Sequence, residues 1–200
     1  RSAVLWGSSI LAVFAIMAAF NPFSDALVAV RNFYGLIRVK EWQSVSGRGD
    51  GYVMIHGVTI HGTQYLAPEW RDEPTIHFAR NSGLGLVLEN HPKQGNGMRM
   101  GVLGLGIGMM TTYAGEGDSV RYYEINPAVV EYAEGKGDYF SFLADSPADV
   151  SVVTDDARLA LERELAEGNL QNFDVLILDT FSSDAIPAHL ITKEAFAIYL

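Results

Sequence analysis

From Arg99 onward the sequence alternates short apolar strands with helical segments, and this alternation limits the possible folds more than any other feature. The strand patterns are 100–105, 119–125, 149–156 and 173–181. The helical patterns are 109–114, 127–134, 157–167 and 192–200. Strands that alternate with helices form a parallel sheet covered by helices on both faces. We therefore predict an α/β domain over residues 81–200.

The preceding segment has a different pattern. Phe33–Val45 alternates polar and apolar residues, as does Tyr52–Ile60, and a glycine-rich stretch at 46–51 separates them. Such alternation is typical of half-buried strands joined by tight turns. We predict a small antiparallel β-hairpin domain over residues 31–80, with a second turn at His61-Gly62.

Ala3–Phe20 is a stretch of about eighteen residues without a charge, the short end of what can cross a bilayer as a helix. We assign 1–30 to this helix and a linker, and expect a membrane span. Arg31, Arg38 and Lys40 would then place the following domain on the cytoplasmic side. The alternative is a buried or partner-packed helix in a cytoplasmic protein.

Charge and composition exclude several function classes. The 200 residues carry a net charge of −10, which argues against a nucleic-acid partner, and no cysteine is present for a disulfide, a thiol nucleophile or a Cys-based zinc site. His56 and His61 are five apart, on opposite faces if the chain is extended, so we expect no metal site. The chain starts at Arg1 and stops within a predicted helix, so we expect a piece of a longer protein.

A glycine-rich turn, GLGIG, lies between the first α/β strand and the next helical segment. Glycines let the backbone approach a ligand, and this context is typical of nucleotide sites. A dinucleotide fingerprint needs glycine at position 109, which is Met109, whereas this chain has Gly104, Gly106 and Gly108. That spacing resembles S-adenosylmethionine enzymes. The alternative is a tight turn that binds no ligand.

Acidic residues end the next two strands of the predicted sheet. Glu124 lies twenty positions after Gly104, where an acid can accept both ribose hydroxyl protons. Asp155 and Asp156 follow the third strand, and Asp156 is the better candidate for a hydrogen bond from an adenine amino group. The alternatives are an ordinary exposed glutamate and a helix N-cap.

Asp179 closes the fourth strand, and Asp184 follows in a polar loop. Open α/β sheets bind ligands at the carboxyl ends of their strands. Two carboxylates at that edge can hold a cationic amine and remove its proton. The alternative for Asp179 is a capping or turn residue.

These residues together resemble the spermidine synthase family from about Tyr34 to Leu200, and most of all the spermidine synthase-like domains fused to membrane transporters. The final segment is the most specific. The matching segments are Tyr34-Gly35, IHGTQ (60–64), GLGIG (104–108), YEINP (123–127), DDARLALERE (155–164) and FDVLILDTFSSDAIPAHLITKEAFAIYL (173–200). The resemblance implies a small β-domain followed by a Rossmann-like methyltransferase fold, truncated here after four strands.

The resemblance also implies an activity and residue roles. Decarboxylated S-adenosylmethionine, or S-adenosylmethionine, would be the co-substrate, and no metal would take part. Putrescine or a related amine would accept an aminopropyl group. Asp179 would be the base, with Gln64 and Asp184 near the amine and His77 lining the cleft unless it is a packed or surface residue. Glu124 would hold the ribose and Asp156 the adenine, and the protein could form a homodimer.

Two other functions stay open. Family enzymes usually carry an aspartate, which grips the aminopropyl amine, at the position of Ile107. The isoleucine favours a methyltransferase acting on a small acceptor. Family members usually have tyrosines lining the cleft where this chain has Ile76-His77-Phe78. This altered cleft and the apolar N-terminal stretch favour a non-catalytic nucleotide-sensing module of a membrane transporter.

Overall fold

The computed structural model describes residues 25–44, 47–181 and 186–199. The predicted apolar helix at 3–20 and Asp184 lie outside the described residues. Among the residues that are described, no helix combines the length and the apolar character needed to span a membrane.

An antiparallel four-stranded sheet comes first in the described chain, with its strands in sequence order. Its strands are β1 (Ala26–Asn32), β2 (Gly35–Trp42), β3 (Gly51–His56) and β4 (Thr59–Tyr65). β1 therefore begins within the range that the sequence assigned to the N-terminal linker.

The second predicted strand, 52–60, is two strands. Gly57 has a φ of 60° and its N–H donates to the carbonyl of Leu36 at 2.8 Å, so the chain reverses there. The predicted turn at His61-Gly62 is consequently wrong, because both residues lie within β4. The expectation that His56 and His61 lie on opposite faces is also wrong: the hairpin brings their rings to 5.5 Å.

A parallel sheet forms the second half of the described chain, in the order β7-β6-β5-β8. Its strands are β5 (Arg99–Leu103), β6 (Ser119–Glu124), β7 (Asp149–Thr154) and β8 (Val175–Leu178). The chain adds β6 and β7 on one side of β5 and then returns to add β8 on the other. This reversal opens a crevice at the carboxyl ends of β5 and β8. The α/β class and the order of the two sheets are confirmed.

Helices cover both faces of the parallel sheet. They are α1 (Gly83–Glu89), α2 (Pro127–Ala133), α3 (Phe142–Asp145), α4 (Ala157–Ala166) and α5 (Lys193–Tyr199). Short 3-10 segments occur at Pro68–Trp70, Ile76–Phe78, Met109–Tyr113, Lys136–Asp138 and Ala188–Leu190. Met54 of the first sheet and Val102 and Tyr122 of the second belong to one apolar cluster, so the two sheets share a core.

The Asp118 carboxylate links the loop before β5 to the loop before β6. Its side chain is 2% exposed and accepts hydrogen bonds from four backbone N–H groups at 2.7–3.0 Å. They belong to Gly95, Gly97, Met98 and Gly115. Burial by itself raises the pKa of Asp118, but the four donors outweigh it and lower the pKa.

We expect Asp118→Ala to lower the free energy of unfolding by about 3 kcal/mol, because it leaves several backbone donors unpaired in or near the core. Denaturant unfolding measures the effect. Glu116→Ala, at an exposed position two residues away, is the control and should change stability by less than about 0.5 kcal/mol. An equal effect of both changes would contradict the assigned role of the carboxylate.

Candidate active site

A cleft with a cavity volume of about 150 Å³ opens at the carboxyl edge of the parallel sheet. Five predicted site residues line it: Gly104, Gly106, Glu124, Asp156 and Asp179. The antiparallel sheet supplies further lining residues through its hairpins, among them His56 and His61. The three acids therefore share one crevice, as parallel strand ends require.

Neighbouring backbone segments come so close to the glycine-rich turn that two of its positions leave no room for a side chain. Gly104 has a φ of 97° and Gly106 a φ of 57°, both in the left-handed region. A Cβ on Gly104 would lie 2.4 Å from the carbonyl oxygen of Asp179, and one on Gly106 would lie 3.0 Å from that of His61. Glycine at these two positions thus lets β5, β8 and β4 meet beside the cleft.

Three predicted site residues do not line the cleft: Gly108, Gln64 and His77, of which His77 lines an adjoining cavity. Gly108 instead faces α3, where an added Cβ would lie 2.5 Å from Leu143. Gln64 has its amide group engaged: Nε2 donates to Ser141 Oγ at 3.0 Å and to the Arg71 carbonyl at 3.2 Å, and Oε1 accepts from Ser141 N at 2.8 Å. These bonds hold the Gln64 amide against Ser141 and Arg71 instead of the cleft, and a register shift at His61 interrupts the regular alternation of β4 between the two residues.

Glu124 ends β6 and is 8% exposed. Its Oε2 accepts from Leu105 N at 3.0 Å and its Oε1 from Asn126 N at 2.8 Å. Burial raises its pKa, against the lowering effect of these N–H donors. A carboxylate has about four lone-pair directions, so two are left for donors from a ligand in the cleft.

Asp156 combines the two roles that the sequence left open. Its Oδ1 accepts from Leu159 N at 3.0 Å, which caps α4, and its Oδ2 lies 3.0 Å from His189 Nε2 at the cleft wall. Asp155 also lines the cleft, but its carboxylate pairs with Arg163 on α4. Asp156 is therefore the better placed of the two acids for a ligand.

Asp179 lies where the cleft meets an adjoining cavity, and it lines both. Burial raises its pKa from the ordinary 3.8 to about 7, and the nearby charge of Glu124 contributes. Such a carboxyl is both donor and acceptor of protons near neutral pH, which suits a general base.

The adjoining cavity is mainly apolar and aromatic, with two imidazoles. His77 lines it, together with Ile76 and Phe78 of the same 3-10 segment, while His61 and Phe181 reach it from the cleft side. Partial burial lowers the pKa of His77. His77 therefore faces the cavity beside Asp179 rather than the cleft itself.

Three buried polar atoms in the cleft wall have no hydrogen-bond partner among the described residues: His61 Nε2, Asn126 Nδ2 and Thr180 Oγ1. Unpaired buried polar atoms are rare because each costs about 1–3 kcal/mol. Their gathering at one cleft indicates that they serve a ligand. None of the three was predicted as a site residue, although Asn126 belongs to the YEINP segment (123–127) and Thr180 to the final segment (173–200) that carry the family resemblance.

Ile107 is fully buried and packs against β4, with its Cδ1 2.8 Å from where a Cβ on Gly62 would stand. It lines neither the cleft nor the adjoining cavity. It does line a smaller space that His61 and Asp179 also line, and there it presents an apolar side chain where an acid would present a carboxylate.

Comparison with known proteins gives a consistent picture. No family model matches the chain. The polyamine aminopropyltransferase of Vibrio vulnificus (strain CMCP6) is 28% identical over 195 residues, covering 92% of this chain and 60% of that protein. The crystal structure of spermidine synthase from Thermotoga maritima matches with a TM-score of 0.56 at 15% identity, over 88% of this chain and 52% of that one.

A spermidine synthase in complex with the transition-state analogue AdoDATO matches with a TM-score of 0.54 at 14% identity. That match covers 87% of this chain and 51% of the other. The predicted resemblance to spermidine synthases is thus confirmed, in sequence by the first relative and in fold by both structures. The chain spans between half and three fifths of the length of these relatives.

Proposed function

We propose that the protein is an aminopropyltransferase of the spermidine synthase type. It would transfer an aminopropyl group from decarboxylated S-adenosylmethionine to putrescine or a related amine. One observation carries this proposal: Asp179, with a pKa of about 7, lies between a cleft lined by Glu124 and Asp156 and a second cavity suited to an acceptor.

The cleft is assigned to the nucleoside part of the donor. Glu124 accepts hydrogen bonds from the two ribose hydroxyls, and Asp156 Oδ2 accepts one from the adenine amino group. The backbone at Gly104 and Gly106 allows the sulfur end of the donor to approach Asp179. Support comes from the free lone pairs of Glu124 and from the orphaned polar atoms in the same wall.

The reaction needs a neutral amine, although free amines are mostly protonated at pH 7. Asp179 takes one proton from the ammonium and later passes it to solvent. The amine lone pair then forms a C–N bond to the aminopropyl carbon next to sulfur, and the S–C bond breaks. Its electron pair returns to the sulfonium, which gives neutral methylthioadenosine, and the product nitrogen stays protonated.

A methyltransferase is the second candidate, favoured by Ile107. Without a carboxylate at that position, the ammonium end of the aminopropyl group lacks one expected partner. In calorimetric titrations of the full protein, we expect decarboxylated S-adenosylmethionine to bind at least tenfold more tightly than S-adenosylmethionine, and product analysis to show aminopropyl transfer to putrescine. Tighter binding of S-adenosylmethionine with methyl transfer would replace the proposal. Nucleoside binding without transfer would favour the sensing module.

Several finer points stay proposals. The stretch Ala3–Phe20 would anchor the protein in a membrane, as part of a transporter fusion, with the catalytic domain on the cytoplasmic side. The family resemblance supports a homodimer. The division at residues 31–80 and 81–200 separates the β-hairpin domain from the nucleotide-binding domain.

A further inference from the structure

His61 occupies the junction of the site. It lies in β4, four residues after the turn at Gly57, and lines the cleft, the adjoining cavity and a third, smaller space that Ile107 also lines. Asp179 is the other residue that lines all three of these spaces. The two side chains therefore face the same region, in which the donor carbon and the acceptor nitrogen would meet.

The imidazole of His61 is neutral and incompletely bonded. Burial lowers its pKa to about 4, and the adjacent His56 contributes. His56 itself is engaged, since its Nε2 lies 2.8 Å from the Tyr34 carbonyl, whereas Nε2 of His61 is buried and has no partner among the described residues. A neutral imidazole has one nitrogen that accepts a hydrogen bond.

We propose that His61 determines specificity for primary amines by accepting, at Nε2, a hydrogen bond from the attacking nitrogen. This inference rests on the proposed aminopropyl transfer. Once Asp179 has taken one proton, a primary amine keeps two N–H groups, while its lone pair must point at the reacting carbon. A fixed acceptor for one N–H holds the lone pair in that direction. A secondary amine keeps a single N–H and carries an alkyl group in place of the other, so it loses this contact or that of Asp179.

The test compares putrescine with N,N′-dimethylputrescine, in which both nitrogens are secondary. In the wild-type protein, kcat/KM should be at least tenfold higher for putrescine. His61→Phe keeps a ring but removes the acceptor, so kcat/KM for putrescine should fall about tenfold while the value for the dimethyl compound changes little. His61→Gln, whose Oε1 reaches a similar position, should recover part of the loss.

Controls separate this role from a structural one. Methylthioadenosine affinity should stay within about twofold in both His61 variants. His91→Phe, in the loop after α1 and away from the cleft, should leave both substrates unaffected. If His61→Phe slows both amines equally, or if the wild type does not distinguish them, the proposed hydrogen bond is wrong.

A second measurement does not depend on turnover. In nitrogen NMR of the imidazoles, adding putrescine to the protein saturated with methylthioadenosine should shift the Nε2 resonance of His61. A shift without any aminopropyl transfer would overturn the proposed function and retain His61 as an amine-binding residue. Transfer without a shift would retain the function and overturn the role of His61.

Discussion

Asp179→Asn should lower kcat for aminopropyl transfer by about 10²–10⁴-fold, the usual contribution of a general base. The asparagine keeps the size of the side chain but cannot take the proton from the ammonium. Methylthioadenosine should still bind within about threefold of the wild-type affinity, because the cleft residues assigned to the nucleoside are unchanged. Calorimetry and product analysis provide the two measurements.

The pH profile gives an independent check on the same residue. The base must be ionised, and the pKa of Asp179 is about 7, so kcat/KM of the wild type should rise as the pH increases through 7. The variant should lack that rise. Asp149→Asn, at an exposed position at the opposite end of the sheet, is the matched control and should retain the wild-type profile.

The free energy of unfolding should depend on pH in the opposite sense to kcat/KM. The pKa of Asp179 is raised on folding, so between pH 4 and 7 the folded protein holds a proton that the unfolded chain has lost, and stability falls as the pH rises. At pH 8, Asp179→Asn should therefore be more stable than the wild type by about 2–4 kcal/mol. An inactive variant that is also less stable at pH 8 would indicate a structural defect rather than a missing base.

Glu124→Gln should weaken methylthioadenosine binding by about 100-fold. The substitution removes the charge that strengthens two hydrogen bonds from the ribose, each typically worth about 1.5–3 kcal/mol. In the wild type, the two carboxylate oxygens accept hydrogen bonds from the backbone N–H groups of Leu105 and Asn126. The glutamine amide N–H₂ would face one of these donors and could not accept its hydrogen bond. Calorimetric titration measures the loss.

Combining the Glu124 variant with a nucleoside that lacks one ribose hydroxyl separates the ribose contact from a disturbance of the turn. Methylthio-2′-deoxyadenosine should bind the wild type more weakly than methylthioadenosine, and Glu124→Gln should bind the two nucleosides about equally. Glu116→Gln, at an exposed position in the preceding loop, should bind like the wild type. If the variant still prefers the ribonucleoside by the wild-type factor, Glu124 does not hold the ribose.

Part of the site follows from local pattern and general topology. An apolar strand that ends in an acid can be recognised in the sequence, as at Glu124, Asp156 and Asp179. Alternation with helices makes the strands parallel, and parallel strands bring their carboxyl ends to one edge. The need for glycine at 104 and 106 also follows from this topology, because the turn after the first parallel strand passes close to the backbone of neighbouring strands.

Which way the other side chains face was decided only by the tertiary structure. The reversal at Gly57 depends on its hydrogen bond to Leu36 on another strand, and it determines that His61 lies within β4. β4 also has a register shift at His61, since Met54 of β3 pairs with Gly62 and Ile55 with Ile60. Such a bulge changes the direction of a side chain locally, so His61 lines the cleft while Gln64 binds Ser141 and the Arg71 carbonyl instead. The raised pKa of Asp179 likewise needs the burial and the charge of Glu124, which come together only when separate strands pack side by side.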